Sequence, residues 1–244
     1  MMKKLFYLLI PFILISCHKK DDLSDMNNIQ MPEYEELIHP VSSKEVLKVL
    51  IVGNSITSHG KASNIGWNHK SGMAAIQESK DYVHLLFDKL ATKYRSKNIF
   101  LRFSNWSQLE RSPETFSGFK SAEEYNPDII IFQLSDNITP ESSDHFSNIS
   151  ISFLKKFKNK FVVSPFFLNS SNYDVSKKIA TDSNSTFIDI SSISNDKANR
   201  ASNDNRPDKS EWKVEGIGAH PGNTGMNNIS ETIFKSIILS QPYF

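Results

Sequence analysis

Three residues able to act together on a carbonyl group stand far apart in the sequence: Ser55, Asn137 and His220. Ser55 follows the apolar run Val49-Leu50-Ile51-Val52, which breaks at Gly53-Asn54. A hydroxyl placed there leaves the end of a strand in a tight loop. Serine is a weak nucleophile until a base within hydrogen-bond reach takes its proton and donors stabilise the oxyanion that forms. Histidine is the commonest such base, and a side-chain amide is a suitable donor. Each residue alone has a plainer reading. Gly-Asn-Ser suits many turns, His220 before Pro221 suits the cap of the last helix, and Asn137-Ile138-Thr139 is also a glycosylation triplet. His59, His69 and His84 follow no recognised ligand spacing, so no metal and no cofactor are expected. Asp189 reads as a helix cap; of Trp67, Trp106 and Trp212, only Trp67 competes evenly as a sugar-stacking platform.

The elements that position these residues follow from periodicity. Short apolar runs at Leu47–Gly53, Ile99–Ser104, Asp128–Leu134, Phe161–Pro165 and Thr186–Ile190 alternate with helical patterns at Tyr82–Ser96, Pro113–Tyr125, Ser143–Lys158, Tyr173–Asp182 and Met226–Leu239. Such alternation predicts α/β architecture with a parallel sheet. Ligands of an open parallel sheet bind beyond the carboxyl ends of the strands, where strand order reverses. Ser55 and Asn137 follow the first and third runs and fall at that edge.

The three residues lie in blocks that resemble those of the SGNH (GDSL-like) hydrolases. Gly53-Asn54-Ser55 resembles the nucleophile turn, Ser135-Asp136-Asn137 the Gly-x-Asn block, and Gly218-Ala219-His220-Pro221 the block before the last helix. Gly53-Asn54-Ser55-Ile56-Thr57-Ser58-His59-Gly60, Gly72-Met73-Ala74-Ala75 and Lys80-Asp81-Tyr82-Val83-His84 resemble a bacterial subgroup with a long loop after the nucleophile. The resemblance implies a three-layer α/β/α, flavodoxin-like domain with five parallel strands in the order 2-1-3-4-5. It further implies Ser55 as nucleophile, His220 as base, and the Ser55 N–H and Asn137 amide as oxyanion donors. Two positions depart from the pattern. Ile217 stands where the family has the triad aspartate, which leaves a backbone carbonyl, or Glu215 as a displaced acid, to orient the ring. The second block, Phe103-Ser104-Asn105-Trp106-Ser107-Gln108-Leu109-Glu110-Arg111, lacks its glycine, so the N–H of Gly72 or of a residue around Trp106 to Arg111 is the expected further donor.

Residues 1–16 carry Lys3-Lys4 before the apolar run Leu5–Ile15, too short to span a bilayer and typical of a signal peptide. The following Leu14-Ile15-Ser16-Cys17 resembles a bacterial lipobox, with Cys17, the only cysteine, as the lipidated residue. Residues 17–43 read as a flexible tether and 44–244 as the hydrolase domain. The run Cys17-His18-Lys19-Lys20-Asp21-Asp22 resembles an export signal of surface lipoproteins, and is equally an ordinary solvated linker. Basic and acidic residues number 28 and 27, a balance that argues against a nucleic-acid partner. The expectation is an extracytoplasmic serine esterase, lipid-anchored to the bacterial outer membrane through Cys17 alone. Its substrate would be a small acyl ester or an acylated glycan, acetyl among the acyl groups. The alternative is a weakened SGNH domain serving as a surface carbohydrate-binding module.

Overall fold

The computed structural model describes residues 33–240; the signal peptide, the lipobox and Cys17 lie outside them. One six-stranded sheet forms the centre, built from β1 (Glu35–His39), β2 (Val46–Gly53), β3 (Asn98–Asn105), β4 (Ile129–Gln133), β5 (Asn159–Val163) and β6 (Thr186–Ile188). Its order is β1-β3-β2-β4-β5-β6. The strands β2 to β6 are parallel and carry the expected 2-1-3-4-5 order, with Gly53 level with both Asn105 and Gln133.

Three layers follow from the alternation of side chains along strands that are apolar throughout. In β2, Leu47, Val49 and Ile51 face one apolar cluster and Leu50 and Val52 the other; in β4, Ile129 and Ile131 oppose Ile130 and Phe132. The first cluster is covered by α1 (Tyr82–Lys93) and α8 (Asn223–Ser240), which supply Leu86, Leu90, Met226, Ile229 and Ile233. The second is covered by α3 (Phe119–Tyr125), α4 (Pro140–Leu154) and α5 (Ser170–Ser183), which supply Ala122, Phe146, Leu154 and Ile179. Burying each of the Leu, Ile, Met and Phe side chains among them stabilises the fold by about 1.5–3 kcal/mol. Caps set the helix starts: the Asp81 side chain accepts the His84 N–H at α1, and Thr139 and Ser142 form a reciprocal box at α4 ahead of Pro140.

Two expectations are corrected here. The stretch 17–43 does not stay free of structure, because Glu35–His39 pairs antiparallel with β3 and half-buries Leu37 against the core. Glu35 also accepts the Ser58 hydroxyl at 2.8 Å and pairs with Lys70 at 3.0 Å, which joins the chain start to the loop after β2. The pattern over Pro113–Tyr125 is not one helix: a 3-10 turn at Pro113–Thr115 ends at Phe116 in extended conformation, and α3 begins after Gly118. Glycine is a poor interior helix residue, and the break falls there.

Candidate active site

The turn that carries Ser55 is shaped by its neighbours. A Cβ at Gly53 would lie 1.8 Å from Thr57 Oγ1 and 3.0 Å from the Gln133 carbonyl, so the end of β2 admits only glycine. Asn54 is fully buried, and its Oδ1 accepts the Ile56 N–H while its carbonyl accepts those of Thr57 and Ser58. Ser55 therefore heads a tight turn, half-buried. Among the described residues, no acceptor engages its own N–H.

Ser55 Oγ lies 3.0 Å from His220 Nε2. The other ring nitrogen, Nδ1, lies 2.7 Å from the Gly216 carbonyl. A carbonyl can only accept, so Nδ1 carries the hydrogen and Nε2 presents its lone pair to the serine hydroxyl. The ring packs edge-to-face on Phe167 with centroids 4.9 Å apart, and the Ala201 N–H holds the His220 carbonyl at 2.9 Å. Burial pulls the His220 pKa down to about 4, against a smaller upward effect of the Gly216 carbonyl; His59 adds a small downward push. The imidazole is thus neutral and able to accept a proton over most of the pH range.

Asn137 emerges beyond β4, beside the end of β2 where the order of strands reverses. Its Nδ2 donates to Glu110 Oε2 at 2.6 Å, and its Oδ1 accepts from Arg111 Nη2 at 3.4 Å. Glu110 and Arg111 belong to α2 (Ser107–Arg111), the short helix after β3. Glu110 Oε1 also accepts the N–H groups of Ser135 at 2.6 Å and Asn137 at 3.2 Å. Burial, with the nearby charge of Asp136, pushes Glu110 up to about 7. Ser135 adopts φ 104°, a backbone region costly for any residue but glycine.

Asp136 ties these turns together. Its carboxylate accepts Asn54 Nδ2 at 2.8 Å, Gln133 Nε2 at 3.0 Å and the Phe167 N–H at 2.7 Å. Burial raises its pKa, and these hydrogen bonds oppose that rise.

No protein-family model matches the sequence, and no curated protein sequence does. Solved structures do match. A two-domain esterase active on acetylated mannans, co-crystallised with mannopentaose, is 13% identical over 82% of this chain and 50% of its own, with a TM-score of 0.52. A protein named TesA is 11% identical over 78% of this chain and 97% of its own, with a TM-score of 0.51. An acetyl xylan esterase from Geobacillus stearothermophilus is 16% identical over 81% and 96%, with a TM-score of 0.49. The chain shares the α/β/α fold of these structures.

Within this fold the three blocks converge on one edge: Gly53–Ser55 after β2, Ser135–Asn137 after β4, and His220 between α7 (Glu215–Ala219) and α8. Glu215 is exposed and leaves the ring to the carbonyl of the next residue, so the displaced acid is not the group that orients His220. Ile217, in the place of the family's aspartate, is buried in a third apolar cluster with Trp67, Met73, Ala74 and Ala201. Gly72 is corrected as a donor: its N–H is engaged by Asp81 Oδ2 at 3.2 Å, and a Cβ there would meet the Ile56 carbonyl at 2.3 Å, so the glycine is required by packing. The N–H groups of Trp106, Ser107 and Leu109 are engaged as well, by Gly53 O, Asn105 Oδ1 and Trp106 O. Trp67 and Trp106 are fully buried, which excludes Trp67 as a stacking platform. Trp212 stays half-buried, in a groove of about 570 Å³ with Arg200, Lys209 and Glu215. Asp189 is not the N-cap of α6 (Ser191–Asn195), a place taken by Ile190; its carboxylate accepts the Ser191 N–H and the Tyr173 hydroxyl, both at 2.8 Å. Among the described residues, no group of three or more His, Cys, Asp or Glu side chains forms a metal cage.

The long loop after Ser55 folds back on it, with the Met73 N–H donating to the Ser55 carbonyl at 2.7 Å. Arg206 fastens it. Its buried guanidinium pairs with Asp208 at 2.6 Å through Nε and reaches the Ala74 carbonyl, while Asp204 accepts the Asn223 N–H at 2.8 Å. Glu110, Arg111 and Asp136 carry no sequence signal for these contacts; only the apolar neighbour Leu109 hints that Glu110 turns inward.

Proposed function

We propose that the protein is a serine ester hydrolase of the SGNH family. The reading rests on one observation: Ser55 Oγ is 3.0 Å from the lone-pair nitrogen of a histidine whose other nitrogen is fixed on a carbonyl. His220 takes the Ser55 proton as Oγ attacks the ester carbonyl. The tetrahedral oxyanion is held by the Ser55 N–H and the Asn137 amide. Collapse expels the alcohol, which receives the proton from His220, and leaves an acyl-serine. Water, deprotonated by His220, then attacks that ester, and the acid departs as Ser55 recovers its proton.

Acyl esters on carbohydrate, acetyl among them, are the proposed substrates. The overlap with an esterase active on acetylated mannans supports that class. The proposed setting is outside the cytoplasm, anchored through lipidated Cys17. A fluorophosphonate probe, followed by turnover of acetylated glycans and of p-nitrophenyl esters of rising chain length, tests the reading. Wild type is expected to label and turn over, with Ser55→Ala and His220→Ala close to background. Labelling that persists in Ser55→Ala would overturn it; no labelling and no turnover in wild type would leave a binding module.

A further inference from the structure

The oxyanion donor of this site is itself held by two side chains from the block that lacks its glycine. Building on the proposed esterase mechanism, we infer that Glu110 is a positioning residue, which with Arg111 fixes the Asn137 amide so that its second Nδ2 hydrogen faces the oxyanion.

The geometry leaves the amide one orientation. Glu110 Oε2 accepts from Nδ2 and Arg111 Nη2 donates to Oδ1. Turning the amide over would set Oδ1 against a carboxylate and Nδ2 against a guanidinium, so both contacts would become repulsive. An amide nitrogen carries two hydrogens, and Glu110 takes one. The backbone is fixed by the same carboxylate, through the N–H groups of Ser135 and Asn137. Without that hold, a serine at φ 104° would relax toward ordinary geometry and swing Asn137 with it.

The position of Glu110 in the fold explains how one side chain does this. It extends from α2, the helix that follows β3, to the turn after β4, and β2, which ends at the Ser55 turn, lies between those strands. The carboxylate therefore bridges the two loops that flank Ser55. It is fully buried, so its three contacts are not shared with solvent, and a buried carboxylate is stable only when so engaged. A family glycine would offer one N–H directly; here the same segment acts at one remove, by aiming another residue's donor.

The test is a double-mutant cycle at about pH 8, where Glu110 is ionised. Glutamine has one acceptor and sets an NH2 against the donors that Glu110 receives. Glu110→Gln is expected to lower kcat by roughly 10–100-fold with KM within about threefold, the split expected when a transition-state contact is lost. Asn137→Ala is expected to cost about 100–1000-fold. Adding Glu110→Gln to Asn137→Ala should change kcat by less than about twofold, since both remove one interaction. Arg111→Ala, on the exposed side of the amide, provides the same cycle should Glu110→Gln not fold, with an expected loss of roughly 3–10-fold that vanishes in the Asn137→Ala background. Equal losses in both backgrounds would mean that Glu110 serves folding alone and overturn the inference, as would full kcat in Glu110→Gln. Full kcat in Asn137→Ala would overturn it too while leaving Ser55 and His220 in place. A wild type that neither labels nor turns over would overturn both readings together.

Discussion

A base backed by a carbonyl differs from one backed by a carboxylate. The Gly216 oxygen fixes the tautomer of His220 but brings only a partial charge to the imidazolium that forms during reaction. The ring consequently resists protonation, and the sign of the pH effect follows. In the proposed mechanism His220 serves only when neutral, so its own contribution is retained until pH falls through about 4, where an ordinary imidazole would be lost at about 6.5. The final collapse of kcat/KM on acidification is expected there. Glu110, which faces Asp136 across the turn and neighbours Arg111, adds a shallower step near 7 that disappears in Glu110→Gln. Collapse at 6.5 in both proteins would contradict the buried, carbonyl-held ring. Glu215→Gln is expected to cost less than about tenfold in turnover, because the carboxylate is exposed and the ring is held without it; a larger loss would make Glu215 the orienting acid. Ser55, Asn137 and His220 were legible in the sequence because each bears chemistry and stands beside a strand end or helix start. Glu110 and Asp136 were not, since an acid that turns inward looks like any surface acid until its partners, here about 25 to 80 residues away in the chain, are known.

The elements that carry these residues were readable to different degrees. The parallel strands show as dense apolar runs because both faces are covered, and α1 starts at Tyr82 as its periodicity predicts. The edge strand β1 escaped notice because a strand covered on one face offers little apolar pattern, and Pro32 and Pro40 flank it. The short α7 was equally illegible: five residues give no period, yet it sets both Gly216 and His220. Its buried side chain makes a prediction. Restoring the family acid with Ile217→Asp would place a carboxylate among Trp67, Met73, Ala74 and Ala201, not against the ring. The variant is expected to lose about 3–5 kcal/mol in urea unfolding and to gain no turnover. A rise in kcat would show that α7 can rotate to rebuild a triad.

At the scale of the molecule, resemblance settled the strand order while periodicity settled only the class, because pairing across a sheet leaves no local mark on the sequence. Attachment belongs to this scale as well. Cys17→Ala is expected to abolish labelling by a fatty-acid analogue and to block processing of the leader, and a variant still lipidated would refute the anchor. Among the described residues no helix is long and apolar enough to cross a membrane, and the proposed anchor at Cys17 precedes β1. That strand runs antiparallel to β3 and begins level with Phe103, near the end where the catalytic turns lie. Glu35, its first residue, touches Ser58, three positions beyond the nucleophile. The proposed lipid at Cys17 would connect to the fold through this strand, and the 17 residues between Cys17 and Glu35 span at most about 60 Å. A tether of that reach, if the proposed anchor holds, would set a working radius for Ser55 above the anchoring surface and leave its orientation there free.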